Sequence, residues 1–227
     1  MIDTAPDADQ AIARARQAVD AGRRTLGDAV FSEAAGSFWM VYETRPFMRA
    51  MAELARVLQQ AGQADAAIDT WQEMLRLNPG DNQGMRYVLL FALLEQNRHT
   101  DLSTLVDQYE DDIEASWRFG HAVWIFSRDG ETPQAETLLA RAHDVNKHVL
   151  PLVLGRRGMP AQLPDHYQLG SPDEAAYAAS VLIPTVARID GALDWLEVQA
   201  MSLLKPDKRK LLSRPAPKRK PGKGRKR

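Results

Sequence analysis

The sequence contains no cysteine, which excludes disulfides, thiolate metal sites and cysteine nucleophiles. It also lacks a long apolar segment. The longest uninterrupted apolar run, from Tyr87 to Leu94, has eight residues, whereas a membrane-spanning helix needs about 20. The first residues, MIDTAPDADQ, are polar and acidic, unlike a secretory signal. These absences predict a soluble, cytoplasmic protein with no membrane partner.

Motifs for catalysis and metal binding are missing as well. The sequence has no nucleophile elbow, no phosphate-binding glycine loop and no dinucleotide fingerprint. No two histidines have the i, i+4 spacing of a helical zinc site; they are His99, His121, His143, His148 and His166. The carboxylates from Asp107 to Glu114 are explained by a solvated helix end. We expect no cofactor, no metal and no enzymatic activity, with catalysis by an unrecognised constellation as the third possibility.

Positive charge is the minority in the body of the chain, and negative charge is nearly absent from its C-terminal tail. Residues 1–204 hold 17 Lys and Arg against 29 Asp and Glu, whereas residues 205–227 hold 12 Lys and Arg against one Asp. Four prolines, two glycines and mutual repulsion predict that this basic tail is disordered. It is either a solubilising segment that touches the acidic body, or a tether for DNA or RNA. The predicted polyanion-binding residues are Lys208, Arg209, Lys210, Lys218, Arg219, Lys220, Lys223, Arg225, Lys226 and Arg227.

The body has the spacing of apolar residues that is typical of helices, and no segment alternates apolar and polar residues as a strand does. The stretch MVYETRPFMRAM, residues 40–51, is typical of a helix entrance, because Pro46 suits the first turn and Thr44 offers a capping hydroxyl. A binding role for Arg45 or Arg49 stays open. The N-terminal helix begins near Thr4 and Pro6, and two last helices are expected at about 172–186 and 190–203.

A repeat follows this entrance. Residues 48–81 have the 34-residue length of one tetratricopeptide unit. Ala67 is small enough to let two helices approach, and Trp71 fills the space between successive units. Residues 82–114 keep the length without the marker residues, and residues 116–149 recover them. Three units are enough to bury a continuous core by stacking.

Four strings resemble a more specific family: ETRPFMRAM, LRLNPGDNQGMRYVLL, NKHVLPLVLGRRGMP and GSPDEAAYA followed by GALDWL. They are similar to the tetratricopeptide region of suppression-of-tumorigenicity-type proteins and their uncharacterised bacterial relatives. The similarity spans about residues 37–196. It implies a helical-repeat interaction protein with no assigned chemistry, and this chain departs from it by its basic tail.

The resemblance implies that the first helix of each unit lines a concave groove. The groove positions are then Arg49, Ala52, Glu53 and Arg56, then Gln83, Arg86, Tyr87 and Leu90, and finally Trp117, Gly120, His121 and Trp124. Intrahelical pairing with Glu53 is the alternative for Arg49 and Arg56, and a core position is the alternative for Trp124. Arginine and aromatic residues are typical of interface hot spots.

We therefore predict an all-α, tetratricopeptide-like array of about three helix-turn-helix units with capping helices. The expected divisions are a helical cap over 1–44, repeats over 45–149, an irregular segment with capping helices over 150–204, and the tail over 205–227. The predicted function is a non-enzymatic adaptor that binds a protein or an acidic peptide. The alternative is a nucleic-acid-associated protein tethered by the tail.

Overall fold

The computed structural model describes residues 5–204, and the predicted all-helical fold is confirmed over that range, where no strand occurs. Two 3₁₀ turns, Phe38–Met40 and Tyr42–Thr44, lie between the second and third helices. The helices are α1 Ala5–Leu26, α2 Asp28–Glu33, α3 Arg45–Gln60, α4 Ala64–Leu77, α5 Met85–Glu95, α6 His99–Gln108, α7 Ala115–Asp129, α8 Pro133–Val145, α9 Val149–Val153, α10 Pro172–Val186 and α11 Ala192–Leu203. None of these described helices is long and apolar enough to cross a membrane.

Six of the helices form three consecutive hairpins, α3 with α4, α5 with α6, and α7 with α8. Each hairpin turns at a residue with positive φ: Gly62 at 74°, Asn97 at 55° and Gly130 at 74°. Glycine adopts this left-handed backbone without strain, and asparagine is one of the few other residues that adopts it readily. The turn residues thus fix where each first helix ends.

The outer two hairpins share one packing register. Ala67 in α4 and Ala135 in α8 are completely buried, and they lie 68 positions apart. A small side chain at this point lets the two helices of a hairpin approach closely. The middle hairpin buries the larger Leu102 at the corresponding point of α6, and its helices contact each other less extensively.

The N-terminal helices cover one end of the hairpins. α1 packs along α3 and buries Ile12 and Ala15. Phe31, Phe38 and Phe47 form an aromatic cluster beside it, with ring centroids 5.1 to 6.1 Å apart. This cluster ties α2 and the first 3₁₀ turn to the start of α3.

The entrance to α3 lies where the sequence predicts it, with Thr44 at the N-cap position, but the predicted capping by the Thr44 hydroxyl is wrong. α3 begins at Arg45 with Pro46 in its first turn. The Thr44 hydroxyl, however, donates to the carbonyls of Val41, at 2.8 Å, and Phe38. The hydroxyl therefore stabilises the two preceding 3₁₀ turns through these hydrogen bonds, and the Thr44 side chain is completely buried.

The last helices fold back onto the hairpins. α10 packs against α9, α7 and α5, and α11 packs against α7 and α8. Trp195 of α11 stacks on Phe126 of α7 at 4.5 Å between ring centroids. The segment from 150 was expected to begin irregularly, which is wrong as far as Val153, since Val149–Val153 is helical. The segment 154–171 is irregular and ends at the start of α10.

Candidate functional site

An open groove of about 410 Å³ lies between α5 and α10, with the end of α3 at one side. Val88 on α5 and Val181 on α10 face it from two helices and are 36% and 37% exposed. We call this the α3–α5–α10 groove. Its lining is mostly apolar and consists of Gln59, Tyr87, Val88, Phe91, Glu95, Glu114, Ser116, Tyr167, Tyr177, Ser180, Val181, Pro184 and Thr185.

One buried carboxylate fixes the α10 wall of the groove. Glu174, in the first turn of α10, has no exposed surface. Its carboxylate accepts from the N–H of Ala115, at 2.9 Å, where α7 begins, and from the side-chain amide of Asn146, also at 2.9 Å. It accepts from the N–H of Gly170 as well. Because these donors come from three separate segments, Glu174 determines where α10 docks on α7.

The irregular segment supplies the aromatic end of the groove. Tyr167 and Tyr177 lie with ring centroids 5.0 Å apart, and the Tyr177 hydroxyl donates to the carbonyl of Pro164. Burial and the nearby carboxylate of Glu114 raise the pKa of Tyr167 to about 12. Its phenol is protonated at neutral pH, and its hydrogen bond goes to the Glu114 carboxylate at the same end of the groove. The opposite end is crossed by an ion pair between Arg188 and Glu95.

The α3 wall extends the site beyond the groove itself. Arg49, Ala52, Arg56 and Gln59 follow one another at spacings of three, four and three, so they share one side of the helix. Gln59 lines the groove. Arg56 donates to Glu53 through Nε at 2.8 Å and Nη2 at 2.6 Å, which is the intrahelical pairing considered for it.

An arginine–aromatic cluster stands at the start of this wall. The guanidinium carbon of Arg45 lies 5.5 Å from the ring centroids of both Trp39 and Tyr42, and that of Arg49 lies 5.7 Å from Trp39. Arg45 Nε also donates to the carbonyl of Trp39 at 2.9 Å. Tyr42 is 75% exposed and the adjacent Met40 is 71% exposed. The cluster is thus an ordered surface with large apolar side chains open to solvent.

Arg86 occupies a different environment from the one predicted. It donates to Asp81 Oδ2 at 2.9 Å and to Asp112 Oδ2 at 2.6 Å, and both carboxylates are nearly buried. Its guanidinium carbon lies 4.2 Å from the ring centroid of Tyr87 and 5.3 Å from that of Tyr109. Burial also raises the pKa of Tyr87, whose hydroxyl donates to Asp112. Arg86 therefore fastens the α5 start to the 109–112 turn, and ligand contact by Arg86 stays a prediction.

The predicted groove residues of α7 are mostly covered. Trp117 and Trp124 are only 1% and 3% exposed. Trp124 Nε1 donates to His99 Nδ1 at 3.2 Å, and His121 stacks on the Trp124 ring at 5.6 Å. The expectation that these α7 positions line an open groove is wrong, because the tryptophans pack on the middle hairpin and the turn after it, Trp117 on Tyr87 and Tyr109 and Trp124 on His99. Ligand contact by these three residues stays a prediction that their burial does not support.

The middle hairpin also shifts the groove positions by one residue. Its turn falls 35 positions after the first turn and 33 before the third, as the turn residues Gly62, Asn97 and Gly130 show. Val88 and Phe91 of α5 therefore line the groove, whereas the predicted Leu90 is buried against α7. There Leu90 Cδ2 lies 2.6 Å from where a side chain at Gly120 would begin. The asparagine in EQNRH was the available signal for this shift.

The remaining candidates form no site in the described residues. Among residues 5–204, no three His, Asp or Glu side chains come close enough to hold a metal ion. The acidic stretch from Asp107 to Asp112 borders a shallow polar surface beside Pro79. The ten predicted polyanion-binding residues, from Lys208 to Arg227, lie outside the described range.

No protein-family model matches the chain, and no curated protein or solved structure matches it either. The resemblance to a tetratricopeptide family therefore stays a prediction.

Proposed function

We propose that this chain is a non-enzymatic interaction adaptor that binds a peptide or protein segment in the α3–α5–α10 groove. The observation that carries the proposal is the pair of exposed valines, Val88 and Val181, facing one apolar groove from two helices. Burying exposed apolar surface favours association by about 25 cal/mol for each Å². A groove of about 410 Å³ has room for a few partner side chains rather than for a folded domain.

The α3 wall favours a protein segment over a compact small molecule. Beyond the groove, the same side of α3 continues through Ala52 to Arg49 and the arginine–aromatic cluster. Trp, Tyr and Arg are the residues that most often dominate protein interfaces. An elongated partner is needed to contact both the groove and this cluster.

We further propose that α3 to α8 form three tetratricopeptide-like units. The 68-position register of Ala67 and Ala135 supports two units of average length 34 between them. The positive-φ turn in each hairpin supports the same division. In this proposal the predicted concave positions of α7 are covered by the middle hairpin, and the groove between α5 and α10 is the part of the face left open.

Selection from random 12-residue peptides displayed on phage tests the proposed function. The full chain is the bait, and the selected peptides are synthesised and their affinities measured by fluorescence anisotropy. Val181→Glu introduces a charge into the groove, so we expect at least tenfold weaker binding, which is about 1.4 kcal/mol. Val198→Glu is the matched control, because Val198 is an exposed valine on α11, outside the groove.

Two outcomes would contradict this function. The first is a set of selected peptides that bind the Val181→Glu chain as tightly as the parent. The second is a selection that yields no peptide binding above background. Equal weakening by Val198→Glu would also count against the groove, since it would show a general effect of added negative charge.

A second candidate function is nucleic-acid binding through the tail, and the charge division of the sequence favours it. Twelve Lys and Arg in residues 205–227 follow a body with a net charge of about −12, summed over residues 1–204. If roughly half of these cations met phosphates, log K against log salt would have a slope of about −5 for duplex DNA. Affinity for unrelated duplexes and for RNA is measured with the full chain and a chain ending at Leu204. Equal affinity of the two chains, or a slope near zero, would exclude this role.

A further inference from the structure

We infer that the arginine–aromatic cluster of Trp39, Tyr42, Arg45 and Arg49 binds an acidic segment of the groove's partner. The inference rests on the proposed function and adds to it the chemistry of the partner. The partner then carries Asp or Glu at one end of a segment whose other end places apolar residues in the groove.

The first step of the argument is the conformation of Arg45. Its Nε donates to the carbonyl of Trp39, and its guanidinium lies beside two aromatic rings. This arrangement leaves both Nη groups available, and a planar guanidinium binds a carboxylate through two parallel hydrogen bonds. Because the side chain is already ordered, little rotamer entropy is lost when a carboxylate binds.

The second step is the absence of an acidic partner. Within residues 5–204, neither Arg45 nor Arg49 forms an ion pair, although Glu43 is next to the cluster in sequence. Several other arginines of residues 5–204, such as Arg14 and Arg16, also form no ion pair, but only Arg45 and Arg49 share an aromatic ring, that of Trp39. Two unpaired arginines side by side in an acidic body form a local site for negative charge.

The third step decides between an acidic peptide and a nucleic acid. Met40 and Tyr42 are each more than two-thirds exposed, and Val88 continues an apolar surface in the groove. Apolar side chains of a peptide are buried by such surfaces, whereas a phosphate backbone gains nothing from Met40 or Val88. The net negative charge of the body also repels a long polyanion. These observations favour a short acidic stretch joined to apolar residues.

The fourth step is the distance between the two parts of the site. Arg49 and Gln59 lie on the same side of α3 and are ten residues apart. At about 1.5 Å per residue, this places them about 15 Å apart along the helix. An extended peptide covers that distance with about four or five residues at about 3.3 Å each. The acidic and apolar parts of the partner are therefore expected to be four or five residues apart.

The test uses the full chain and the synthesised peptides selected by phage display. Arg45→Gln/Arg49→Gln removes both charges, and Arg49→Gln alone serves as a variant that leaves the Arg45 hydrogen bond intact. Arg14→Gln/Arg16→Gln is the matched control, because these arginines are exposed on α1, away from the groove. All four chains keep the basic tail, so its attraction for acidic peptides is the same in each.

We expect acidic peptides to bind the Arg45→Gln/Arg49→Gln chain at least tenfold more weakly than the parent, with a smaller loss for Arg49→Gln. Peptides with Glu and Asp replaced by Gln and Asn should bind the parent and the double variant within about twofold. The control chain should bind both peptide sets as the parent does.

Unchanged affinity of acidic peptides for the double variant would overturn the inference, and so would selected peptides without Asp or Glu. If those peptides still lose binding to the Val181→Glu chain, the groove function stands while the inference fails. If Val181→Glu has no effect, the proposed function itself fails. A 12-nucleotide oligo-dT that loses binding to the double variant, while peptides do not, would assign the cluster to nucleic acid and overturn the proposal.

Discussion

Two helices with the same place in their hairpins, α3 and α7, have opposite surroundings. Arg49 of α3 corresponds to Trp117 of α7, and Arg56 corresponds to Trp124, each pair being 68 positions apart. The arginines are exposed and the tryptophans are buried. The difference follows from the middle hairpin, because Trp117 packs on Tyr87 and Tyr109 and Trp124 donates to His99, whereas Arg49 and Arg56 face solvent. The same position is surface or core according to what covers it.

The position of α10 explains where the groove lies. α10 packs against α7 more extensively than against α5, so a space remains between α10, α5 and the end of α3. α10 therefore packs on α7 with one side and lines the groove with another. The proposed function depends on this open part of the surface.

The largest loss of stability is expected from truncating Trp117, the buried residue that corresponds to the exposed Arg49. Trp117→Ala removes a large buried ring that packs on Tyr87 and Tyr109, and it should lower the free energy of unfolding by about 3–5 kcal/mol. Arg49→Ala should change it by less than about 0.5 kcal/mol, because Arg49 is exposed and unpaired within residues 5–204. Urea unfolding followed by circular dichroism measures both. Similar values for the two variants would mean that Trp117 is not buried against the middle hairpin as described.

Removing the carboxylate that docks α10 should have the next largest effect. Glu174→Ala removes the acceptor of the Ala115 and Gly170 N–H groups and one of the two acceptors of the Asn146 side-chain amide. Each unsatisfied buried group costs about 1–3 kcal/mol, so we expect a loss of about 3 kcal/mol or more. Asp173→Ala is the control, since Asp173 is exposed in the same turn, and it should cost less than about 1 kcal/mol. A Glu174→Ala chain as stable as the control would contradict the docking described for α10.

Overpacking the outer hairpins tests the register that relates α3 to α7. Ala67→Trp and Ala135→Trp each insert a large ring at a completely buried helix contact, at a cost of about 1–3 kcal/mol. Ala13→Trp, at an exposed position of α1, should be nearly neutral. Thermal unfolding of the three variants shows whether the losses at 67 and 135 agree. An unchanged melting temperature for either of these two would mean that the 68-position register is wrong.

The smallest effect concerns pH and the covered helix α7. Burial, together with Arg118 and Arg128, lowers the pKa of His121 to about 4, from about 6.5 in the unfolded chain. Between pH 4 and pH 6.5 the unfolded chain therefore binds more protons at His121 than the folded chain does. The stabilisation from neutral His121 is fully present above pH 6.5 and is lost as pH falls toward 4. Allowing for partial exposure, we expect a loss of about 1 kcal/mol between pH 7 and 5.

His121→Phe keeps a ring on Trp124 but cannot be protonated. Between pH 7 and pH 5 its free energy of unfolding should therefore fall by about 1 kcal/mol less than that of the parent. His166→Phe, at an exposed histidine, should retain the parent's pH dependence. Identical pH profiles for the parent and His121→Phe would show that the ring is not buried as described.

The helices were predictable because their ends depend on local residues. Pro46, Pro133 and Pro172 each lie in the first turn of a helix, and Gly62 and Gly130 adopt the backbone that ends one. Such signals act over a few residues and need no knowledge of the fold. The all-helical architecture could therefore be predicted from the sequence.

The composition of the groove could not be predicted, because it depends on contacts between distant segments. Glu174 meets Ala115, 59 positions away, and this contact holds the start of α10 at the start of α7. Arg86 was predicted to lie in the groove because the sequence does not show that it pairs with Asp112, which is 26 positions away. The shift of Val88 into the groove depended on a turn at an asparagine, which is a weaker signal than glycine.

Photocrosslinking tests the central claim, that a protein segment binds in the α3–α5–α10 groove, most directly. The photoreactive residue p-benzoylphenylalanine replaces Val88, Val181 or Val198 in the full chain, and a selected peptide is added and irradiated. We predict covalent adducts from positions 88 and 181, which line the groove, and none above background from position 198 on α11. Adducts from position 198 with none from 88 or 181 would contradict the account.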